Sequence, residues 1–353
     1  MLNALIADLP MMRGLRYLAL TCALSLLVTP VFAGKVPASK NPPEPSKTAK
    51  ARDKAQLAFQ RDLVSVLAPR ADALPLLGAA LLARPLFNQP SSNSFHALIG
   101  RAVQAEGADA AVSWARLADC DAKADACPNT AALEQLLSQA PDNAAVWLLK
   151  LGADTHNMKQ DAAREDLGKA ADAKQYDDYT GTSLKALASS IGVLPPPADT
   201  FDPASKAGAM GMQAMLVYGI ASTQPQPAMQ IVAKLCENAG ADASIKADCL
   251  KLGKTLEWGS SPLARSLGLH LREVLADDPT QQQEAKDARR NLIWQVQSFD
   301  QLLARAQDDP AMAQHLLALA RNGGTEMSLL LAALRDSSIP VDPPADWQPH
   351  KAG

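Results

Sequence analysis

Residues 129–179, NTAALEQLLSQAPDNAAVWLLKLGADTHNMKQDAAREDLGKAADAKQYDDY, decide the fold class. Leu133, Leu136, Leu137 and Ala140 recur at i, i+3, i+4 and i+7, and so do Ala144, Trp147, Leu148 and Leu151. Ala163, Leu167, Ala170 and Ala171 follow at i, i+4, i+7 and i+8. Each set lies along one face of a helix of 3.6 residues per turn, so the stretch reads as three amphipathic helices. Pro141-Asp142-Asn143 separates the first from the second, and Thr155-His156-Asn157 the second from the third. A hairpin with two apolar faces cannot bury both by itself and needs neighbours of its own kind.

The hairpin resembles a tetratricopeptide repeat. Pro141 stands six residues before Trp147, and Ala163, Leu167 and Ala170 fall at the small, large and small positions of the second helix. The Leu151-Gly152 pair comes one residue late, and Asp154 stands where the family has a large residue. The likeness covers residues 141–175, one degenerate repeat of about 34 residues. It implies an α-solenoid, an array of helical hairpins offering a concave face to a protein partner.

Composition agrees with helices. Apolar residues make up 48 % of the chain but aromatics only 4 %, so alanine and leucine carry the core; strands would want β-branched and aromatic residues. A net charge of −3 gives no basis for a nucleic-acid partner. Further stripes run through Phe59, Leu63, Val66 and Leu67, then Leu74, Leu77 and Leu81, then a Ser94-capped helix with Phe95 and Leu98. Leu184, Leu187, Ala188 and Ile191 form another, and later ones include Leu263, Leu267 and Leu271. Asp278-Pro279 and Asp309-Pro310 are two cap-plus-proline helix starts.

The N-terminus reads as an export signal. Arg13 and Arg16 precede an apolar run from Tyr17 to Val28, and Val31-Phe32-Ala33 offers small residues for cleavage before Gly34. The run is shorter than the roughly 18 residues a membrane span needs, so no stable span is expected after cleavage. Met1, Met11 and Met12 all remain possible starts. Residues 34–51 carry four prolines and little that is apolar, which predicts a disordered linker. The expected location is periplasmic or secreted.

Val193 to Pro203 breaks the helical pattern, with Asp202 expected to cap a helix begun by Pro203. This places a boundary between a helical lobe at 52–198 and a second at 199–338, although one continuous array with a long loop satisfies the same residues. Residues 339–353 are too rich in proline for a helix, and their Trp347 is expected to pack back on the last helices. Trp114, Trp147, Trp258 and Trp294 are expected in the core.

With Cys22 removed in the signal, Cys120, Cys127, Cys236 and Cys249 remain, an even number that suits disulfides in an exported chain. Three pairings exist. Local bridges Cys120–Cys127 and Cys236–Cys249 are expected, each pinning a helix hairpin at its turn. The spacings are too wide for a zinc site or a Cys-x-x-Cys redox pair, and the five histidines are scattered. No Gly-x-Ser-x-Gly, His-Glu-x-x-His or phosphate-binding glycine motif occurs. No catalytic residue, cofactor-binding residue, metal ligand or cofactor is therefore assigned. Asp277-Asp278 and Asp308-Asp309 read as helix caps, and Met210, Met212, Met215 and Met229 as core. The expected function is that of an exported scaffold or adaptor for an envelope protein. The alternatives are a helical enzyme acting on peptidoglycan, for which a deep pocket with a buried carboxyl would speak, and a small-ligand-binding protein.

Overall fold

Each stripe in the quoted stretch closes into a helix. The structure, a computed structural model, describes residues 46–120 and 128–349; the expected signal, most of the expected linker, Cys127 and His350–Gly353 lie outside the described residues. Fifteen α-helices form among the described residues, and no strand. They are α1 Lys47–Leu67, α2 Ala73–Ala83, α3 Phe95–Gln104, α4 Ala110–Arg116, α5 Thr130–Gln139, α6 Ala144–His156, α7 Gln160–Asp172 and α8 Thr180–Ser190. After the break come α9 Gly208–Ala221, α10 Met229–Glu237, α11 Ala243–Glu257, α12 Pro262–Leu275, α13 Pro279–Arg305, α14 Pro310–Asn322 and α15 Glu326–Asp336. No helix among the described residues is long and apolar enough to cross a membrane.

The caps read from sequence act as caps. Ser94 Oγ accepts from Ala97 N at 3.2 Å. Asp278 accepts from Thr280 N and Asp309 from Ala311 N and Met312 N, each with proline in the first turn. Three local readings need correction. Helix α1 begins at Lys47, inside the expected linker, because Pro45 is the last helix breaker and Ser46 Oγ accepts from Ala49 N at 3.2 Å. Asp202-Pro203 starts no helix: Asp202 accepts from Ala204 N at 2.9 Å in a turn, pairs with Arg52 at 2.8 Å, and α9 starts only at Gly208. In α1 the inward residue is Val64 rather than Val66, which is 41 % exposed.

Residues 51–349 form one compact unit. Helices α2 to α7 pack each on the next, α7 then packs on α11, and α11, α12, α13 and α14 continue the series. The circuit closes through α8, which touches α2 on one side and α9, α14 and α15 on others. An open array would keep its first and last helices apart; here both ends meet on α8. One buried cluster accordingly takes Leu63, Leu77 and Leu187 from before the Val193–Pro203 break and Val217, Leu316 and Leu330 from after it. The break is a bend of two short 3-10 turns, Ile191–Val193 and Ala198–Thr200, with helices from both sides in one core.

Helix α8 is covered on most sides: Thr180, Gly181, Ser183, Leu184, Ala186, Leu187, Ala188 and Ser190 are buried, and only Thr182, Lys185 and Ser189, on one face, reach the surface. Small residues allow this. A Cβ added at Gly78 of α2 would strike the Ser190 hydroxyl and lie 2.8 Å from the Ala186 carbonyl, so the α2–α8 crossing requires glycine there.

The α6–α7 hairpin is held differently. Asp154, at the position where the repeat resemblance puts a large residue, accepts from Lys150 Nζ at 2.6 Å, and the same ammonium reaches Asp166 of α7 at 3.0 Å. Lys150 holds the Asp154 carboxyl below its usual range. Burial pushes Asp166 up. Burial also works against the Lys150 charge, but the two carboxylates outweigh it and raise its pKa. Trp147 lies half-buried beneath Lys169, whose Nζ sits 4.9 Å from the ring centre.

The tail follows α13. Trp347 meets Trp294 edge-on with ring centres 5.4 Å apart, and Arg290 donates to the Trp347 carbonyl at 2.6 Å. Trp114 is fully buried, Trp294 half-buried, and Trp258 is 78 % exposed. The core reading of Trp258 is thus overturned: it is the C-cap residue of α11, where its ring projects beyond the packed faces.

Candidate ligand site at the entry to the central helix

The chain enters α8 through a polar segment, Ala173 to Tyr179, in which Tyr176 and Asp178 are buried, Asp177 and Tyr179 half-buried, and Lys174 and Gln175 exposed. Asn143, at the N-cap of α6, holds it: Asn143 Nδ2 donates to the Asp177 carbonyl at 2.7 Å and to the Tyr179 phenol at 3.2 Å, while its Oδ1 accepts from Asp177 N at 2.9 Å. Ala144 N also donates to the Gln175 carbonyl at 2.8 Å, across an isolated parallel bridge between Asn143 and Gln175. Tyr179 has φ +55°, a left-handed conformation costly for an aromatic residue. It is held there by Asn143 and by the buried Trp114 ring, edge-on at 5.6 Å.

This geometry leaves the first turn of α8 open on one side. Asp178 Oδ1 accepts from Thr180 N at 3.2 Å, but the amides of Gly181 and Thr182 meet no acceptor among the described residues. They border a pocket of about 320 Å³. Leu74, Leu77 and Val112 give it an apolar wall; Thr182 and Lys185 of α8 face them, Asp109 stands at the edge, and the Asn322–Gly324 turn closes one end. Gly323 and Gly324 have φ +82° and +127°, which only glycine adopts without strain. The turn comes close because Gly181 has no side chain: a Cβ there would run into the Gly324 carbonyl.

Behind the pocket lies an acidic interior. Ser260 Oγ accepts from Asp178 N at 3.1 Å and donates to Asp178 Oδ1 at 3.3 Å, and Met327 N donates to the Ser260 carbonyl at 2.9 Å. Glu326 therefore sits next to this junction, with Asp300 of α13 in electrostatic reach. Burial, then Asp178 and Asp300, push the Glu326 carboxyl up to about 8, and burial pushes Asp300 up to about 6.

No family model, curated protein or solved structure matches this chain. The site is thus read from its own residues.

The residues singled out in sequence lie elsewhere. Cys236 and Cys249 are bonded, with Cα atoms 5.7 Å apart, and join α10 to α11. Cys249 sits in the second turn of α11 rather than at its start. Cys120 is disulfide-bonded as well, while Cys127 lies outside the described residues. His270 pairs with Glu237 at 2.7 Å, His96 with Asp119 at 2.9 Å and His315 with Asp336 at 3.4 Å. Among the described residues no three His, Cys, Asp or Glu side chains gather as metal ligands.

The pocket residues went unread because they come from four separate segments, so no spacing announces them. One local signal was present: Tyr176-Asp177-Asp178-Tyr179-Thr180-Gly181-Thr182 is a polar, aromatic run, too long and too acidic for a plain helix turn.

Proposed function

We propose that this is an exported, all-α binding protein that takes a small zwitterion, such as a free amino acid or the end of a short peptide, at the mouth of α8. The observation that carries the reading is the pocket itself. It has the size of a small-ligand site, an apolar wall, and converging polar groups of both signs. The two free amides at the α8 N-terminus and Lys185 suit a carboxylate, since a helix N-terminus favours negative charge. Asp109 suits an amine. Export is supported by the signal-like residues 11–33 and by the Cys236–Cys249 bridge. The test is calorimetric titration with amino acids and dipeptides. Binding by at least one of them, weakened about tenfold or more by Lys185→Ala, supports the reading; binding that ignores Lys185→Ala, or none across the panel, contradicts it.

The adaptor reading, and with it the tetratricopeptide likeness, keeps one specific observation. Trp258, 78 % exposed at the end of α11, is the kind of aromatic that anchors a protein partner. Crosslinking from envelope extracts with wild type and Trp258→Ala tests it: a single stoichiometric partner lost in the variant supports an adaptor, and recovery unchanged by the variant speaks against this surface.

A further inference from the structure

Four buried oxygens gather along the inner side of the α8 entry without a partner: Tyr176 Oη, Asp178 Oδ2, Thr180 Oγ1 and Ser261 Oγ. Their residues are at most 5 % exposed. Buried polar atoms left unpaired cost free energy and call for a water or an ion. Ser261 makes the point by contrast. It holds the N-cap position of α12 with proline next to it, as Asp278 and Asp309 do for their helices, yet its hydroxyl caps nothing. It lies beside the Tyr176 phenol, with which it makes no full hydrogen bond.

The titratable groups that act on these oxygens are acidic. Asp178 and Glu326 both act on the Tyr176 phenol, and Asp177 adds to them. Asp178 and Asp300 act on Glu326. None of Asp178, Asp300 and Glu326 has a basic partner among the described residues. The nearby Arg265 directs its Nε to the Gly259 carbonyl at 2.9 Å. Asp178 is the one of the three that is fully buried; its Oδ1 accepts from Thr180 N and Ser260 Oγ, and its Oδ2 is left facing the unpaired hydroxyls, where a cation would supply the missing counter-charge. The carboxylates do not gather closely enough for a divalent site. An all-oxygen set with one inner carboxylate suits an ion of single charge.

We propose that Asp178, Tyr176 and Ser261 form an internal site for a small monovalent cation, sodium, potassium or ammonium, which links the 176–180 segment to the start of α12. The site is separate from the zwitterion pocket, and either can fail without the other.

The test is thermal unfolding of the full chain in sodium, potassium, ammonium and choline chlorides at one ionic strength. Choline, too large to enter, sets the baseline. The expected result is a saturable rise in melting temperature with at least one small cation over choline. Ser261→Ala weakens the apparent affinity by about tenfold; Asp178→Asn abolishes the effect, and if that variant fails to fold, Tyr176→Phe replaces it with a loss of similar size to Ser261→Ala. Lys185→Ala leaves the effect intact. Equal melting in all four salts, a response to magnesium or calcium alone, or a full response in Ser261→Ala overturns the assignment.

Discussion

The α6–α7 hairpin and the central helix α8 solve one problem, burying helix faces, in opposite ways. In the hairpin α7 keeps a clear apolar stripe and leaves its outer face to water, and the Lys150–Asp154–Asp166 cluster ties its crossing with α6. Helix α8 keeps only a narrow outer strip, Thr182, Lys185 and Ser189. The rest is enclosed by small residues, and the segment that feeds it buries Tyr176 and Asp178. A helix at a surface can be specified by its own periodicity. A helix at a centre depends on what surrounds it, so Gly78, Gly181 and Gly324, distant in sequence, fix its position.

The sharpest way to break this comparison is a set of tryptophan truncations. Trp114 is fully buried against Tyr179 at the entry to α8, and Trp114→Ala is expected to cost roughly 3–5 kcal/mol in urea unfolding. Trp147→Ala, in the half-buried hairpin position, is expected to cost about 1–2 kcal/mol, and Trp258→Ala less than about 0.5 kcal/mol. A hairpin variant as costly as Trp114→Ala would put the centre of stability elsewhere. Next in size, reducing the Cys236–Cys249 bridge closes off a short loop constraint and is expected to remove about 3 kcal/mol without loss of helical circular dichroism. Gly78→Ala follows, at roughly 1–3 kcal/mol from overpacking the α2–α8 crossing. No loss in that variant would mean that α2 and α8 are not in close contact.

The smallest effect separates the two regions by the sign of their pH response. Glu326 and Asp300 bind protons more tightly folded than unfolded, with folded values of about 8 and about 6 against ordinary values of 4.5 and 3.8. Their contribution is fully present below the ordinary carboxylate range and is lost as pH rises through the folded values. Asp154 has the opposite sign: Lys150 lowers it, so its contribution is present above the ordinary value and lost as pH falls, with Asp166, raised by burial, offsetting part of it. Glu326→Gln is therefore expected to flatten the decline in melting temperature between about pH 4.5 and about pH 8, whereas Asp154→Asn lowers stability at neutral pH and removes the decline seen as pH falls below the ordinary carboxylate value. A decline unchanged in Glu326→Gln would exclude this carboxyl as its source.

The comparison also explains what could be read from the chain. The all-α class was legible because stripes such as Leu133–Ala140 and Ala144–Leu151 have one dominant period, and Asp278-Pro279 and Asp309-Pro310 carry their own cap chemistry. The local Cys236–Cys249 bridge followed from two helices adjacent in sequence. The closing of the circuit was not legible, because it rests on contacts between helices far apart, α2 with α8 and α8 with α14. Trp258 shows the limit of composition: a large aromatic at a helix end has no stripe to place it. The pocket and the acidic interior shared the first difficulty, being assembled from helices and turns far apart in the chain, whose residues no single period links.

The central claim is that α8 is the enclosed core on which both ends of the circuit close, and native-state hydrogen exchange tests it most directly. The amides of α8 beyond its first turn, with those of α2 and α14 that pack on it, should exchange only through global unfolding, while α6 and α7 exchange earlier through partial opening. Exchange of α8 as fast as that of α6 and α7, or before α2 and α14, would contradict the account.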